Sequence, residues 1–483
     1  GYIVGLRIAS FIFLGGVIGF AILIPIYGLI NGFPDVSGDI SYIGVYEYKE
    51  VYKDQIRFVG VGAMVVGGVY TLWSMRKTIG EGLGKAFNAS KTKGGQLRTE
   101  MDLPLDKVMI FCGILVAFIF LFYWYATGSL VMAAAGALFL AVVSFFFAAV
   151  AGYIAGVVGS SNSPVSGMTI ATLLFTIGLV WLVGGFMLDM SKSEMMVATM
   201  FIAAIVATSA AIAGDVMQDL KTGHMVGATP WRQQTAEIIG VVVGAIVIGP
   251  VLSLLHQAFR ITPTACENNP LKSDPDCEYA LIAPQAELIG AIVKGAFGGE
   301  LNLPMVLLGC VIAVILIRLA MPVMSVAIGI YLPLYLSVPI MAGGIISHIL
   351  LSSARLRIDG TLDGSPSAAA EVAIKDVKDK GVLIGAGFIA GESLMGVLLA
   401  VFIVAGSDPS SWFGGIGTLS YTFSIIFFAW FVGIFIMLSA RALPSKGNLG
   451  SDFVYVLSDG AKRLKNAFSM PNIPRLNSED NEN

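Results

Sequence analysis

Residues 130–158 read LVMAAAGALFLAVVSFFFAAVAGYIAGVV, an apolar run without a charged side chain. A helix needs about 20 apolar residues to cross the hydrocarbon core of a bilayer, and this run exceeds that length. Inside lipid every backbone amide must pair within its own segment, so an unbroken apolar run forms a helix. Strands of a membrane barrel would alternate apolar and polar residues, and this run does not. The stretch therefore predicts a transmembrane helix.

Comparable runs recur along the chain, at residues 108–127, 195–213, 238–256 and 419–440. Hydrophobic residues make up 56% of the chain and charged residues 13%, whereas a soluble domain carries about 25% charged residues. We expect about 11 to 13 membrane segments, with interruptions near Ser160, Pro284 and Pro333 that indicate broken or re-entrant helices. The sequence thus predicts an all-α, multi-pass protein of the cell membrane. Its transmembrane region covers residues 1–443, and residues 444–483 form a frayed cytoplasmic tail.

Basic residues cluster between two of the apolar runs. They are Arg76, Lys77, Lys85, Lys91, Lys93, Arg98 and Lys107. Because cytoplasmic loops of membrane proteins carry an excess of Lys and Arg, we expect this segment in the cytoplasm. Counting helices onward places residues 213–234 near the cytoplasmic side and the acidic loop at 260–284 outside. In that outer loop a disulfide between Cys266 and Cys277 is permitted, and two free thiols fit the sequence equally well.

Motifs for enzymatic chemistry are incomplete. Residues 80–85, GEGLGK, follow Ile79 where a phosphate-binding loop needs its first glycine. No HExxH motif occurs, and the three histidines lack His or Cys neighbours at metal-ligand spacing. Ser166 is not in a GxSxG turn, and Asp215 has no second membrane aspartate in a matching context. The sequence therefore predicts no enzyme, cofactor, resident metal or nucleic-acid partner, with an intramembrane aspartyl protease as a distant alternative.

Two polar or proline-rich interruptions divide apolar runs. Residues 159–167, GSSNSPVSG, separate two long runs, and residues 328–340 contain Pro333 and Pro339. Non-helical backbone at membrane depth survives only where it is buried in protein or lines a watery cavity, and paired interruptions indicate a transport pathway. A plain solvated turn at the first site and a simple kinked helix at the second are the alternatives.

Glu392 lies in the middle of the apolar stretch GFIAGESLMG, residues 387–396. An ionised side chain at the bilayer centre costs about 2.5 to 3.5 kcal/mol, so we expect Glu392 to be buried against a cavity or partner and to bind a proton or cation. A structural carboxylate bonded to a neighbouring helix is the alternative. Glu237, Glu287 and Lys294 are weaker candidates, because they lie nearer the ends of apolar segments.

Residues 213–234, AGDVMQDLKTGHMVGATPWRQQ, place charges of both signs between two apolar runs. Gly223 and Gly227 allow a tight backbone path. The neighbouring charges of Asp215, Asp219, Lys221 and Arg232 can pair with each other or with a substrate. The alternative is a cytoplasmic loop whose charges lock two helices together.

Five stretches, in this order and spacing, resemble motifs of the oligopeptide transporter family, which includes the yellow stripe-like metal-chelate transporters. They are residues 159–170, 214–234, 283–299, 325–344 and 381–400. Residues 57–72 and 98–104 are similar to the family as well. At Trp231 and Glu287 the chain departs from the usual family residues. The chain also opens without Met, inside what resembles the interior of a member, so the family's N-terminal helices are expected to precede it.

The resemblance implies a secondary transporter of two related halves that moves small peptides or peptide-like metal chelates with protons by alternating access. A passive channel or a non-transporting scaffold is the alternative. Glu392 is the predicted proton-coupling residue, membrane lipid a further partner, and a homo-oligomer is left open. The predicted substrate-binding or gating residues are Asn162, Pro164, Ser166, Gly167, Asp215, Gln218, Asp219, Lys221, Thr229, Gln233, Tyr331 and Pro333.

Overall fold

Helices are the only regular elements in the part of the chain that the computed structural model describes. That part comprises residues 1–33, 48, 51–74, 76–77, 80, 97–158, 165–259, 261, 284–298, 302–407, 419–444 and 448–469. The loop cysteines Cys266 and Cys277 lie outside these residues.

Two compact units make up the chain. The terminal unit combines Gly1–Phe13 with Tyr335–Asn483, and the central unit is Leu14–Leu334. Helices α1 to α6 are Gly5–Val17, Ile24–Asn31, Arg57–Ser74, Leu105–Thr127, Leu130–Val158 and Val165–Val180. Helices α7 to α11 are Lys192–Val226, Pro230–Phe259, Pro284–Gly298, Leu303–Arg318 and Val323–Tyr331. Helices α12 to α15 are Leu334–Asp359, Ala368–Val404, Leu419–Ala440 and Leu449–Ser469. Short π-helices occupy Ile18–Leu23, Tyr52–Ile56 and Trp181–Met187.

Within the described residues, nine helices are long and apolar enough to cross a membrane. Shorter apolar helices cover Arg57–Thr71, Ile289–Gly298 and Leu303–Arg318. Helices such as α8 and α14 expose most of their apolar side chains, an arrangement that suits contact with lipid tails rather than water. The all-α, multi-pass membrane fold predicted from the apolar runs is confirmed.

Small residues bring the helices of the central unit together. Helix α3 packs against α10 and α11, and α7 packs against α5 and α6. A Cβ atom at Gly62 would collide with the carbonyl oxygen of Val306, and one at Gly309 would collide with that of Val59. The backbones of α3 and α10 therefore touch, as membrane helices do where glycine replaces larger side chains.

Pro333 divides one apolar segment into two helices, as the sequence predicts. Helix α11 ends at Tyr331, and Leu332 is extended with φ −79° and ψ 142°. A proline disfavours the helical conformation at the residue before it, in agreement with the break at Leu332. Helix α12 then continues through Pro339.

Two polar segments are helical. Residues 213–226 belong to α7, which continues to Val226, so the alternative of a loop there is wrong. The tail after residue 443 was expected to be frayed, but α15 covers Leu449–Ser469. In both segments the polar residues recur at helical spacing, so one face of the helix carries them while another packs against the protein.

Candidate functional site: an acidic cleft between two helices

A tight corner joins α7 to α8. Gly227 ends α7 in the left-handed conformation at φ 74°, and Pro230 begins α8. Glycine accepts this conformation without strain, while proline suits the first turn of a helix because no amide hydrogen is needed there. The corner turns the polar last turns of α7 towards the first turns of α8.

An open cleft of about 600 Å³ lies between these two helices. Asp215, Gln218, Asp219 and Thr222 line it from α7, at the i, i+3, i+4 and i+7 positions of one helix face. Glu237 lines it from α8. Its remaining lining residues are Ile212, Val216, Gly240 and Val241. The cleft has the size of a small-molecule site, with polar groups converging on an otherwise apolar wall.

Negative charge dominates the cleft. The carboxyl groups of Asp219 and Glu237 interact directly. Oε1 of Glu237 is buried and has no hydrogen-bond partner among the described residues. Lys221 and Arg232, which the sequence offered as ion-pair partners, do not line the cleft, and in the described structure neither forms an ion pair with Asp215 or Asp219. The cleft is therefore suited to hold a positively charged group.

Residues 98–103, a short segment before α4, hold the corner in place. Among the described residues, four hydrogen bonds join the two: Arg98 Nη2 to Gly227 O at 3.0 Å, Trp231 N to Met101 O at 2.9 Å, Leu103 N to Gln234 Oε1 at 2.9 Å and Gln234 Nε2 to Asp102 Oδ1 at 3.0 Å. These contacts unite two of the stretches that carry the family resemblance.

Gln233 crosses from α8 to α7. Its side-chain amide donates to the backbone oxygen of Asp219. A Cβ atom at Gly223 would collide with Oε1 of Gln233, so this approach requires glycine at position 223. Gln233 is thus engaged by the protein backbone, and Thr229 is buried at the corner. Neither residue lines the cleft.

Tyr331 belongs to a different polar cluster in the central unit. The Nη2 atom of Arg57 donates to the Tyr331 hydroxyl at 2.6 Å, and its Cζ lies 4.9 Å from the centre of the same ring. The hydroxyl of Tyr52 donates to the backbone oxygen of Tyr331, directly before the break at Pro333. Sequence reasoning missed Arg57, although an arginine within a glycine-rich apolar helix is itself a signal of function.

Among the other predicted residues, Gly167 and Glu392 are described by the structure and do not line the cleft. Gly167 is buried against α3, where its Cβ position would be 3.6 Å from Gly68 O. Asn162 and Pro164 lie outside the described residues, as does the side chain of Ser166. Glu392 lies in α13 of the terminal unit, and its side chain is exposed in the described structure. The apolar residues around it in sequence do not cover it because α13 packs little of its surface within the chain.

Of the predicted site residues, the cleft brings together Asp215, Gln218 and Asp219. It adds Thr222 and Glu237, which the sequence had not placed in the binding site. Helical spacing from Asp215 could have found Thr222, and Glu237, at the edge of an apolar run, had been a weaker candidate. No group of three or more His, Cys, Asp or Glu side chains in the described parts of the chain is arranged to hold a metal ion.

Known proteins resemble this chain over most of its length. The model of the family described as "OPT oligopeptide transporter protein" matches residues 1–403. A Haemophilus influenzae protein named "Putative oligopeptide transporter" is 34% identical over 441 residues, which cover 84% of this chain and 65% of that protein. The chain thus spans just under two thirds of that relative's length. No solved structure matches it. With a family match over residues 1–403 and a relative of this similarity, the chain belongs to the oligopeptide transporter family.

Proposed function

We propose that the protein is a proton-coupled symporter that moves small peptides or peptide-like metal chelates across the cell membrane by alternating access. Membership of the oligopeptide transporter family supports a peptide cargo, as does the name of the Haemophilus influenzae relative. The multi-pass helical fold supports transport over soluble chemistry.

The acidic cleft is the observation that carries this proposal. A peptide brings a positively charged amine, and Asp215, Asp219 and Glu237 offer it three carboxylates in a space of about 600 Å³. The amide of Gln218 and the hydroxyl of Thr222 can bond to peptide groups in the same space. We assign substrate-amine binding to these five side chains.

Peptides and chelates also carry carboxylates, and the central unit offers a positive group elsewhere. Arg57 holds a guanidinium beside the buried Tyr331, next to the helix break at Pro333. Broken helices place irregular backbone where it lines a pathway, and they let one part of a transporter move against another. We assign a carboxylate-binding or gating role to Arg57, Tyr331 and Pro333.

The corner contacts suit a gate on one side of the cleft. Gln233 holds α8 against α7, Thr229 is buried at the corner, and the exposed Lys221 directly precedes Thr222 of the cleft. Gly167 and the residues around it are assigned to the same pathway through the resemblance of residues 159–170. We assign proton coupling to Glu392, a carboxylate in the middle of the apolar part of α13.

Transport in reconstituted vesicles tests the proposal. The protein is placed in liposomes with a labelled tripeptide such as trialanine, or an iron(III) or nickel(II) chelate of an amino-acid ligand. A symporter accumulates label when the outside is more acidic, and it exchanges labelled for unlabelled substrate without a gradient. Downhill flux without such exchange would identify a channel, and no flux for any substrate would identify a scaffold.

A further inference from the structure

Helix α15 is fixed to the end of a membrane-spanning helix. The Nε atom of Arg357, in the last turn of α12, lies 2.7 Å from Oδ2 of Asp452, and both side chains are less than a tenth exposed. Nη1 of Arg357 also donates to Pro444 O at 2.7 Å, in the link between α14 and α15. Helix α12, long and apolar enough to cross a membrane, ends at Asp359. The first turns of α15 are therefore held beside the end of this helix.

One face of α15 is covered by the terminal unit. Asp452 and Val456 are buried, and Leu449 packs against the cluster built around Tyr2 and Leu350. Residues 449, 452 and 456 follow the i, i+3, i+7 spacing of a single helix face. The contacts of this face attach α15 to the terminal unit. They do not involve the other faces of the helix.

A second apolar line runs along α15 beside the covered face. Phe453 is 44% exposed and Leu457 is 50% exposed, one helical turn apart. By sequence register, positions 461, 464 and 468 of the same helix continue this line with Ala, Leu and Phe. The sequence thus gives the helix two apolar lines. On the second line, the described side chains of Phe453 and Leu457 are exposed.

Charge and position indicate what covers the second line. The sequence of α15 includes three basic residues, Lys462, Arg463 and Lys465. Amphipathic helices with apolar residues on one face and Lys or Arg on another lie in the headgroup region of a membrane, where anionic lipids attract the basic residues. A helix held at the end of a membrane span already lies within reach of that region.

We infer that α15 lies in the surface of the bilayer that the protein spans, with the line that begins at Phe453 and Leu457 facing the acyl chains. Its partner is the lipid surface itself. The buried contacts of Asp452 and Val456 fix the rotation of the helix about its axis, so that this second line turns away from the terminal unit and towards lipid.

Site-directed spin labelling in lipid vesicles tests the inference. The four native cysteines are first replaced, and a nitroxide is attached at Leu457→Cys or at Ser458→Cys, an exposed neighbour on a different helix face. Collision with molecular oxygen reports lipid, and collision with a water-soluble nickel complex reports water. We expect the ratio of oxygen to nickel accessibility to be several-fold higher at 457 than at 458.

Equal and high nickel accessibility at both positions would overturn the inference, because α15 would then lie in water. Low accessibility to both reagents at 457, with spin–spin broadening, would also overturn it, since a second copy of the chain would then cover the line. Thermal stability of both labelled variants is measured in parallel, and Phe453→Cys, exposed on the same line, replaces position 457 if Leu457→Cys unfolds.

Discussion

The Glu237 carboxyl group on α8 and the Asp219 carboxyl group on α7 line the same cleft and interact electrostatically. Two carboxylates in one cleft repel each other when both are ionised, so a proton or a cation between them stabilises the pair. A peptide amine is such a cation. The pairing therefore connects the packing of two helices to the chemistry of the proposed cargo.

Asp219→Asn should weaken binding of peptides with a free amino terminus. Loss of one charge-assisted contact worth about 1.4 kcal/mol raises KM about tenfold. Initial rates of trialanine uptake into proteoliposomes measure this. N-acetylated trialanine lacks the charge, so its KM should change little between the two proteins. Asp106→Asn, an exposed aspartate outside the cleft, is the matched control. A similar rise of KM for both peptides would show that Asp219 supports the structure of the cleft and does not bind the peptide amine.

Gly223→Ala should destabilise the α7–α8 corner. Its new methyl group would collide with Oε1 of Gln233, and such overpacking costs about 1 to 3 kcal/mol. The thermal unfolding midpoint in detergent should fall. Adding Gln233→Ala removes the obstacle and should recover most of the loss. Gly244→Ala, where the extra methyl group meets no atom, should keep the wild-type midpoint or raise it. No recovery in the double variant would contradict the proposed collision.

Gln234→Ala should loosen the contact between the corner and residues 98–103. The substitution removes bonds to Leu103 N and to Asp102, and an unmade bond of this kind costs about 1 to 3 kcal/mol when buried. Amide hydrogen exchange should therefore accelerate at Trp231, whose amide bonds to Met101 O. Gln257→Ala on the same helix is the control, because its side chain bonds only to nearby Ser253 among the described residues. Unchanged hydrogen exchange at Trp231 would show that the remaining hydrogen bonds hold residues 98–103 to the corner without Gln234.

The helical membrane fold can be predicted from the sequence because each apolar run is long enough, by itself, to form a helix that crosses a bilayer. The break at Pro333 is equally local, since proline acts on the residue before it. For residues 213–226 the sequence left a loop open as an alternative, because charges are frequent there. The structure shows a helix, whose spacing places Asp215, Gln218 and Asp219 on one face.

Contacts between distant segments could not be predicted from one sequence. Gln234 and Asp102 are 132 positions apart, and Arg57 and Tyr331 are 274 apart. No periodicity links such pairs, since they meet only after the helices have packed. The exposure of Glu392 has the same origin, because burial depends on neighbouring helices rather than on neighbouring residues in the chain.

Arg357→Ala should detach α15 from the terminal unit. Breaking a buried ion pair leaves Asp452 uncompensated and costs about 3 to 5 kcal/mol. Trypsin should then cut within residues 462–465 at lower concentrations than in the wild type. Arg441→Ala, at an exposed position just after α14, is the control. The pair Arg357→Met with Asp452→Leu should recover protection, since apolar residues of similar volume can replace a buried ion pair. Wild-type cleavage of Arg357→Ala would refute an anchoring role for the ion pair.

Glu392→Gln should separate proton coupling from substrate exchange. The substitution keeps the shape of the side chain and removes its ability to bind and release a proton. If Glu392 carries the proton that accompanies substrate, the variant loses uphill accumulation driven by a pH gradient and keeps exchange of labelled for unlabelled substrate. Ser393→Ala, on the next residue of α13, should keep both activities, because its hydroxyl bonds only to the backbone oxygen of Ile389 among the described residues. Accumulation by Glu392→Gln with the wild-type pH dependence would make Glu392 structural. Proton coupling would then pass to the Asp219–Glu237 pair, where Glu237→Gln repeats the same test.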